Sequence, residues 1–414
     1  MKNIPIEWEE GTLNDLCSLK KDSCQPSESK ANIYIGLEHI ESGRFSLCFY
    51  GKPEQVVSAK NCFAPNDILY GKLRPYLDKA AVAITEGICS TDILVFTPKD
   101  KTPPFFIAGL LHTDRFIQYA IQTTHGLNHP RTSWAALKVF PTLIPPLPEQ
   151  QKIAAILFKI QQAIEIQESI IEKTRELKKS TMHHVFKYGL HGEKIKETEI
   201  GQMPESWNIV PILKVYDFTK KPKERIYSDY SYLPFIAMDL IPIDSPHLSK
   251  FKLKKTTEIS SGTYIEDGDI LLAKITPCFE NGKQCIVTGL PVGFGIASTE
   301  VIPIKEKSGV SDKYFLYFYL LKDDVRRMIA GKMEGATGRQ RVPVHLIRDL
   351  LIPFPSLSEQ NKIAKLFLTI DKKIEIHTAK KLTMQDLFKT MLNKLMTGEI
   401  RVKDLDIDVS EVSA

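Results

Sequence analysis

Two polar stretches hold the side chains best suited to recognition. The first is Thr123-Thr124-His125-Gly126-Leu127-Asn128-His129-Pro130-Arg131-Thr132-Ser133-Trp134, and the second is Gly335-Ala336-Thr337-Gly338-Arg339-Gln340-Arg341. Arginine offers a fork of donors that matches two acceptors on guanine, and asparagine or glutamine donates and accepts together, as an adenine edge requires. Asn128, His129, Arg131 and Ser133, with Thr337, Arg339, Gln340 and Arg341, are therefore candidates for reading base edges. Lys72, Arg74, Lys79, Lys274 and Lys283 lie in neighbouring strand-like segments and suit phosphate contacts. The plainer alternative for each is a solvated loop side chain.

Bond-making chemistry finds no comparable set. Thr102-Pro103-Pro104-Phe105 has the Pro-Pro-aromatic core of an amino-methyltransferase motif, but its first residue is Thr and no glycine-rich loop precedes it. Its two prolines suit the start of a helix instead. Gly293-Phe294-Gly295 lacks the third glycine of a cofactor loop and reads as a turn between strands, and no GxxxxGK[ST] is present. Glu149 and Lys152 fall at a helix start, where a carboxylate suits the positive end of the dipole. The seven cysteines are scattered and never in CxxC spacing, so they read as reduced core residues. Catalytic and metal-ligating residues are expected to be absent.

The elements that must position the two polar stretches occur twice. Pro146 begins PLPEQQKIA and Pro355 begins PSLSEQNKIA; in both, prolines hold the approach extended and a Glu-Gln pair opens a helix. Apolar residues follow at helical spacing, Ile153, Ile156, Leu157, Ile160 and Ile164 in one copy and Ile363, Leu366, Phe367, Ile370 and Ile374 in the other. Aligning Glu149 with Glu359 also pairs Ile166 with Ile376, Gln167 with His377 and Leu177 with Leu387. The repeat reaches the openings Ile4-Pro5-Ile6-Glu7-Trp8 and Met203-Pro204-Glu205-Ser206-Trp207, pairs Asp67 to Pro75 with Asp269 to Pro277, and sets Ser90-Thr91-Asp92 against Ser298-Thr299-Glu300. β-rich runs are predicted near 31–40, 67–73, 79–84 and 90–98. A single apolar helix is predicted from Phe105 to Gln122, matched by one from Lys313 to Ala330.

Each long helix, about 38 residues and roughly 55 Å at 1.5 Å per residue, must bury its stripe against something, and the other copy is the economical partner. A polar residue in that seam, such as Gln167 or His377, fixes register more often than it binds a ligand. The expected fold class is α/β (α+β), with two tandem units of mixed sheet and helices, each followed by a long helix. The two helices are expected to pack as an antiparallel coiled-coil-like spacer, giving an internal pseudo-two-fold repeat. The expected boundaries are 1–145 and 201–352 for the α/β units, 146–190 and 353–400 for the helices, 191–200 for a linker and 401–414 for a short, acidic, frayed tail.

A chain of 414 residues with 43% hydrophobic content can build two or three cored domains, and a net charge of +5 permits nucleic-acid binding without demanding it. No apolar run reaches membrane length and no signal core follows Met1-Lys2-Asn3, so no membrane partner and a cytoplasmic location are expected.

The doubled P-L-x-EQ-x-K-I-A motif, the Pro-x-x-Trp openings and the alternation of α/β unit with long helix resemble the specificity subunit of type I restriction-modification systems, across nearly the whole chain. The resemblance implies that each α/β unit is a target-recognition domain reading half of a split target in double-stranded DNA, and that the helices are spacers docking methyltransferase subunits, two of them. It implies restriction/translocase subunits as further partners. It implies no cofactor in this chain, with S-adenosylmethionine, ATP and Mg on the partner subunits. Two other readings stay open from the residues alone: a scaffold whose α/β units bind protein, and a fragment of a fused restriction-modification enzyme.

Overall fold

A computed structural model describes residues 5–29, 31–336 and 338–412. The chain divides into two compact units: unit 1 comprises Met1–Ile170 and His377–Ala414, and unit 2 comprises Ile171–Ile376. The long helices run Leu147–Tyr188 and Leu357–Met396, so each gives part of its length to each unit.

Unit 1 carries two four-stranded sheets. In one, the strand order is Cys17–Leu19, Ile93–Pro98, Ile68–Gly71, Ala80–Val82, all antiparallel. In the other it is Ser23–Cys24, Lys60–Phe63, Gly87–Cys89, Tyr34–Ile35, with the last pairing parallel. A short antiparallel pair, Glu9–Thr12 with Pro141–Ile144, leads into the first long helix. Ile68 to Tyr70 are buried on both faces, which explains a continuous apolar run where a half-exposed strand would alternate.

Unit 2 repeats the first sheet as Tyr216–Phe218, Val301–Glu306, Ile270–Ala273, Gln284–Ile286, and repeats the short pair as Asn208–Pro211 with Leu351–Phe354. Its second sheet differs at the edge. The order is Lys252–Lys255, Tyr232–Ile236, Phe294–Ala297, Thr263–Glu266, and Lys252–Lys255 pairs where unit 1 has only an isolated bridge between Tyr34 and Gly51.

Within each unit the two long helices lie antiparallel. In unit 1, Gln167 Oε1 is 2.8 Å from His377 Nδ1, and Ile164 and Leu157 share the core with Phe388 and Leu392. A Cβ on Gly109 would come 3.1 Å from Leu157 and 3.5 Å from Leu392, so the apolar helix Pro104–Leu111 sits close over that seam. In unit 2, Lys178 meets Asp371 at 2.5 Å, and the rings of Phe186 and Phe367 stack with centroids 6.3 Å apart. Burying side chains of this size contributes about 1.5–3 kcal/mol each, and this packing makes helices of 42 and 40 residues stable.

Three expectations are corrected. The apolar helix predicted from Phe105 to Gln122 is two helices, Pro104–Leu111 and Asp114–Gln122, because Thr113 accepts from Phe116 N at 3.2 Å and caps a new start. Its counterpart likewise breaks into Lys313–Leu320 and Asp323–Ala330, with Asp323 and Asp324 in the first turn of the second helix. The tail is not frayed over its described residues, 401–412. Val402 and Val412 are buried in unit 1, Ile407 and Val409 pack against its core, and Lys159 pairs with Glu411 at 2.8 Å. Among the cysteines, Cys17, Cys89 and Cys285 are buried as expected, but Cys48 is exposed.

Candidate nucleic-acid interface

Both polar stretches are built in the same way. In unit 1 the backbones of His125 and Arg131 exchange hydrogen bonds at 2.9 and 3.0 Å, closing residues 126–130 into a tip with Gly126 at φ +96°. The base of the tip is sewn to the sheet: Thr132 N donates to Lys72 O (3.1 Å), Lys72 N to Asp92 O (2.9 Å) and Arg74 N to Pro130 O (2.8 Å). In unit 2, Glu334 and Arg341 exchange the equivalent bonds at 2.9 and 2.8 Å, with Gly335 at φ +121° and Gly338 at +81°. Val342 N donates to Lys274 O (2.7 Å), Lys274 N to Glu300 O (2.9 Å) and Thr276 N to Gln340 O (3.0 Å). Left-handed backbone at those glycines allows so tight a reversal.

The two arginines close these loops in the same manner. Arg131 donates to both oxygens of Asp92, at 2.8 and 3.1 Å, and Arg341 donates to both oxygens of Glu300, at 2.8 to 3.1 Å. Hydrogen bonding from each arginine holds the Asp92 and Glu300 carboxyls below their ordinary range, and the carboxylates push the guanidiniums up. Both guanidiniums remain partly open to solvent. Sequence reasoning had set Asp92 opposite Glu300 in the repeat without giving either a role; a carboxylate at matched positions was the available signal.

The other candidates divide. Asn128 and His129 stand exposed on the first tip and Arg339 on the second, with Gln340 half-buried beside it. Ser133 accepts from Ala136 N at 3.4 Å and caps the short helix Trp134–Leu137. Thr337 lies outside the described residues. Lys72, Lys274 and Arg74 flank the loop bases, Arg74 exposed and the two lysines half-buried. Lys79 donates to Leu37 O at 2.5 Å and Lys283 to Met238 O at 2.8 Å, so both ammonium groups already bind main chain at matched places.

The Glu-Gln pairs have a shared structural task. Trp8 Nε1 donates to Glu149 at 2.9 Å, and Trp207 Nε1 to Glu359 at 3.1 Å. Gln150 donates to Pro145 O at 2.8 Å, and Gln360 to Pro355 O at 3.0 Å. The opening tryptophan and the helix motif thus meet in each unit and fix where the long helix leaves the α/β layer. Glu149 gains further donors from Arg401 at 2.8 and 2.9 Å and Val402 N at 3.2 Å, whereas Glu359 Oε1 is buried without a partner among the described residues.

A profile described as a type I restriction modification DNA specificity domain matches residues 5–175 and again 204–384. A putative type I restriction enzyme MjaX specificity subunit from Methanocaldococcus jannaschii is 27% identical, over 97% of this chain and 95% of the relative. The MjaVIII specificity subunit of the same organism is 26% identical over the same shares. Among solved structures, a type I restriction-modification system S subunit from M. genitalium shares the fold with a TM-score of 0.60 at 16% identity, covering 96% of this chain and 98% of that one.

Proposed function

Because this chain belongs to the family of type I restriction modification DNA specificity domains and carries that domain twice, we propose that it is the reading subunit of a restriction-modification complex, with one half of a bipartite DNA target assigned to each unit. The observation that carries this is the pair of loops, anchored alike on Arg131–Asp92 and Arg341–Glu300 but presenting different tips, Asn128 and His129 against Arg339 and Gln340. Equal scaffolds with unequal hydrogen-bonding edges suit two different half-sequences. Lys72, Arg74 and Lys274 at the loop bases suit the phosphates beside them. Arg131 and Arg341 hold the loops through their carboxylates and reach base edges by exchanging those partners.

Chemistry belongs to partner subunits in this reading: methyl transfer from S-adenosylmethionine to a methyltransferase, and ATP- and Mg-dependent restriction to a translocase. The long helices leave Ile166, Leu382 and Leu387 exposed in unit 1 and Leu177 and Ile376 in unit 2, Ile166 matching Ile376 and Leu177 matching Leu387. Exposed apolar side chains at matched positions suit two methyltransferase copies. The test is methylation mapping on a randomised duplex library with the chain and its methyltransferase. A bipartite consensus is expected, with no turnover from the chain alone. A methylated pool without a consensus, or turnover by the chain that persists when co-purifying partners are inactivated, overturns the proposal.

A further inference from the structure

The second sheet of unit 2 has a feature that its counterpart in unit 1 lacks among the described residues. A small aromatic cluster built on Leu233, Tyr264, Phe294 and Ile296, with Tyr227, Tyr230 and Phe235 packed against it, is roofed by cations. Lys254 Nζ lies 3.9 Å from the centre of Phe235, Lys221 Nζ 4.1 Å from Tyr227, and the Arg225 guanidinium 4.3 Å from Phe294. The edge strand Lys252–Lys255 adds three lysines in four residues. Of these basic groups and Lys220, only Lys252 has a carboxylate within 4 Å among the described residues, Asp239 at 3.9 Å, while Glu266, which bonds Tyr264, acts on Arg225 from farther away.

Beside the cluster opens a cavity of about 520 Å³ lined by Lys220, Lys221, Ser260, Ser261 and Thr263, with Tyr227 and Tyr264 on its wall and no carboxylate. Lysines on an edge strand can serve simply to block pairing with another chain. That purpose does not call for a recess of hydroxyl and ammonium donors. In unit 1, Lys20 binds Asp67 at 2.9 Å and Lys60 binds Ser58 O and Oγ at 2.8 and 2.6 Å, whereas Lys21, which matches Lys220, is exposed as Lys220 is.

Cations held this close over aromatic faces gain from the ring quadrupoles but still repel one another, and a polyanion supplies the missing counter-charge. We propose that this face of unit 2 is a phosphate-binding surface for the backbone of the DNA duplex, with Lys220, Lys221 and Lys254 as the contacting cations and the Ser260–Ser261 hydroxyls as donors in the recess. The inference rests on the reading of the chain as a DNA-recognition subunit. It adds a group of cations that carries affinity without sequence, and carries it in one unit only.

The experiment measures how the binding constant of the full chain falls with salt, on a duplex carrying the mapped target and on a scrambled duplex of equal length. Two variants are compared with the unaltered chain. Lys220→Gln/Lys221→Gln/Lys254→Gln removes Lys220 and two of the three stacked cations, and Lys220→Gln alone spares the aromatic packing in case the first fails to fold. The log–log slope is expected to become shallower by about 0.9 for each phosphate that is no longer neutralised, equally on both duplexes, while the mapped target is unchanged. Unaltered slopes overturn the proposal, and so does a weakening confined to the target duplex, which would mean base reading. If the unaltered chain prefers no duplex, the DNA-reading function itself falls; if it prefers its target and the slopes do not move, only this surface does.

Discussion

Changing Glu149 and Glu359 separately to glutamine sets one motif against itself in two surroundings. Glu149 receives the Trp8 indole, two bonds from Arg401 and the amide of Val402, and so ties the first strand region, the first long helix and the tail together. Hydrogen bonds to a charged group contribute about 1.5–3 kcal/mol each, and the partly exposed Arg401 pair must be discounted, so Glu149→Gln is expected to cost unit 1 roughly 2–4 kcal/mol. Among the described residues the Glu359 side chain has one donor, Trp207, and a buried oxygen without a partner. Replacing that oxygen by an amide loses little, so Glu359→Gln is expected to change unit 2 by less than about 1 kcal/mol. Hydrogen exchange read by mass spectrometry separates the outcomes, since peptides covering 5–20 and 400–412 report the first site and 204–216 the second.

The effect also has a pH signature. Burial pushes the Glu149 carboxyl up, but hydrogen bonds from Arg401, Trp8 and Val402 N, with the Arg401 charge, outweigh it and hold the group below its ordinary 4.5. Its folded pKa is depressed, so the stabilisation is complete above about 4.5 and is lost as pH falls through the folded value. The gap between the unaltered chain and Glu149→Gln should close in that acid range. Equal costs at the two sites, or a Glu149→Gln tail as protected as before, would refute the reasoning.

Deleting residues 401–412 should expose the Glu149 carboxylate and lower the unfolding midpoint of unit 1, with peptides of unit 2 unchanged in exchange. Asp269 is fully buried and pushed up to about 6 by burial, so ionising it opposes folding: stability of unit 2 should fall as pH rises from about 3.8 to 6. Asp269→Asn should then stabilise unit 2 at neutral pH by about 1–3 kcal/mol in urea unfolding, keeping bonds to Thr219 and Glu266 N, whereas Asp67→Asn should destabilise unit 1 by stranding Lys20. Arg131→Ala should relax discrimination in one half of the target and Arg341→Ala in the other, each about tenfold to a hundredfold by methylation mapping; loss in the same half would refute the assignment of one reader to each unit. Lys72→Ala should weaken binding to every sequence and lower the salt slope by about one.

The chain's own spelling determined the duplication, the α/β class and the place of the long helices, because periodicity and proline-bounded helix starts are local properties repeated at matched positions. The two candidate loops were legible for the same reason, as polar, glycine-bearing stretches between apolar elements. Folding decided what those side chains touch. That Arg131 closes on Asp92, 39 positions away, and Arg341 on Glu300, 41 away, follows from strand pairing and not from spacing. The break at His112-Thr113 was hidden because an apolar run continues on both sides and a threonine cap counts only once its hydroxyl meets the Phe116 amide. The tail read as solvated because its acids dominate its composition, while Val402, Ile407, Val409 and Val412 find a core most of whose residues lie more than two hundred positions earlier. The cation roof over the aromatic cluster of unit 2 was invisible for the same physical reason: Lys221, Arg225 and Lys254 share one surface only after distant strands have paired.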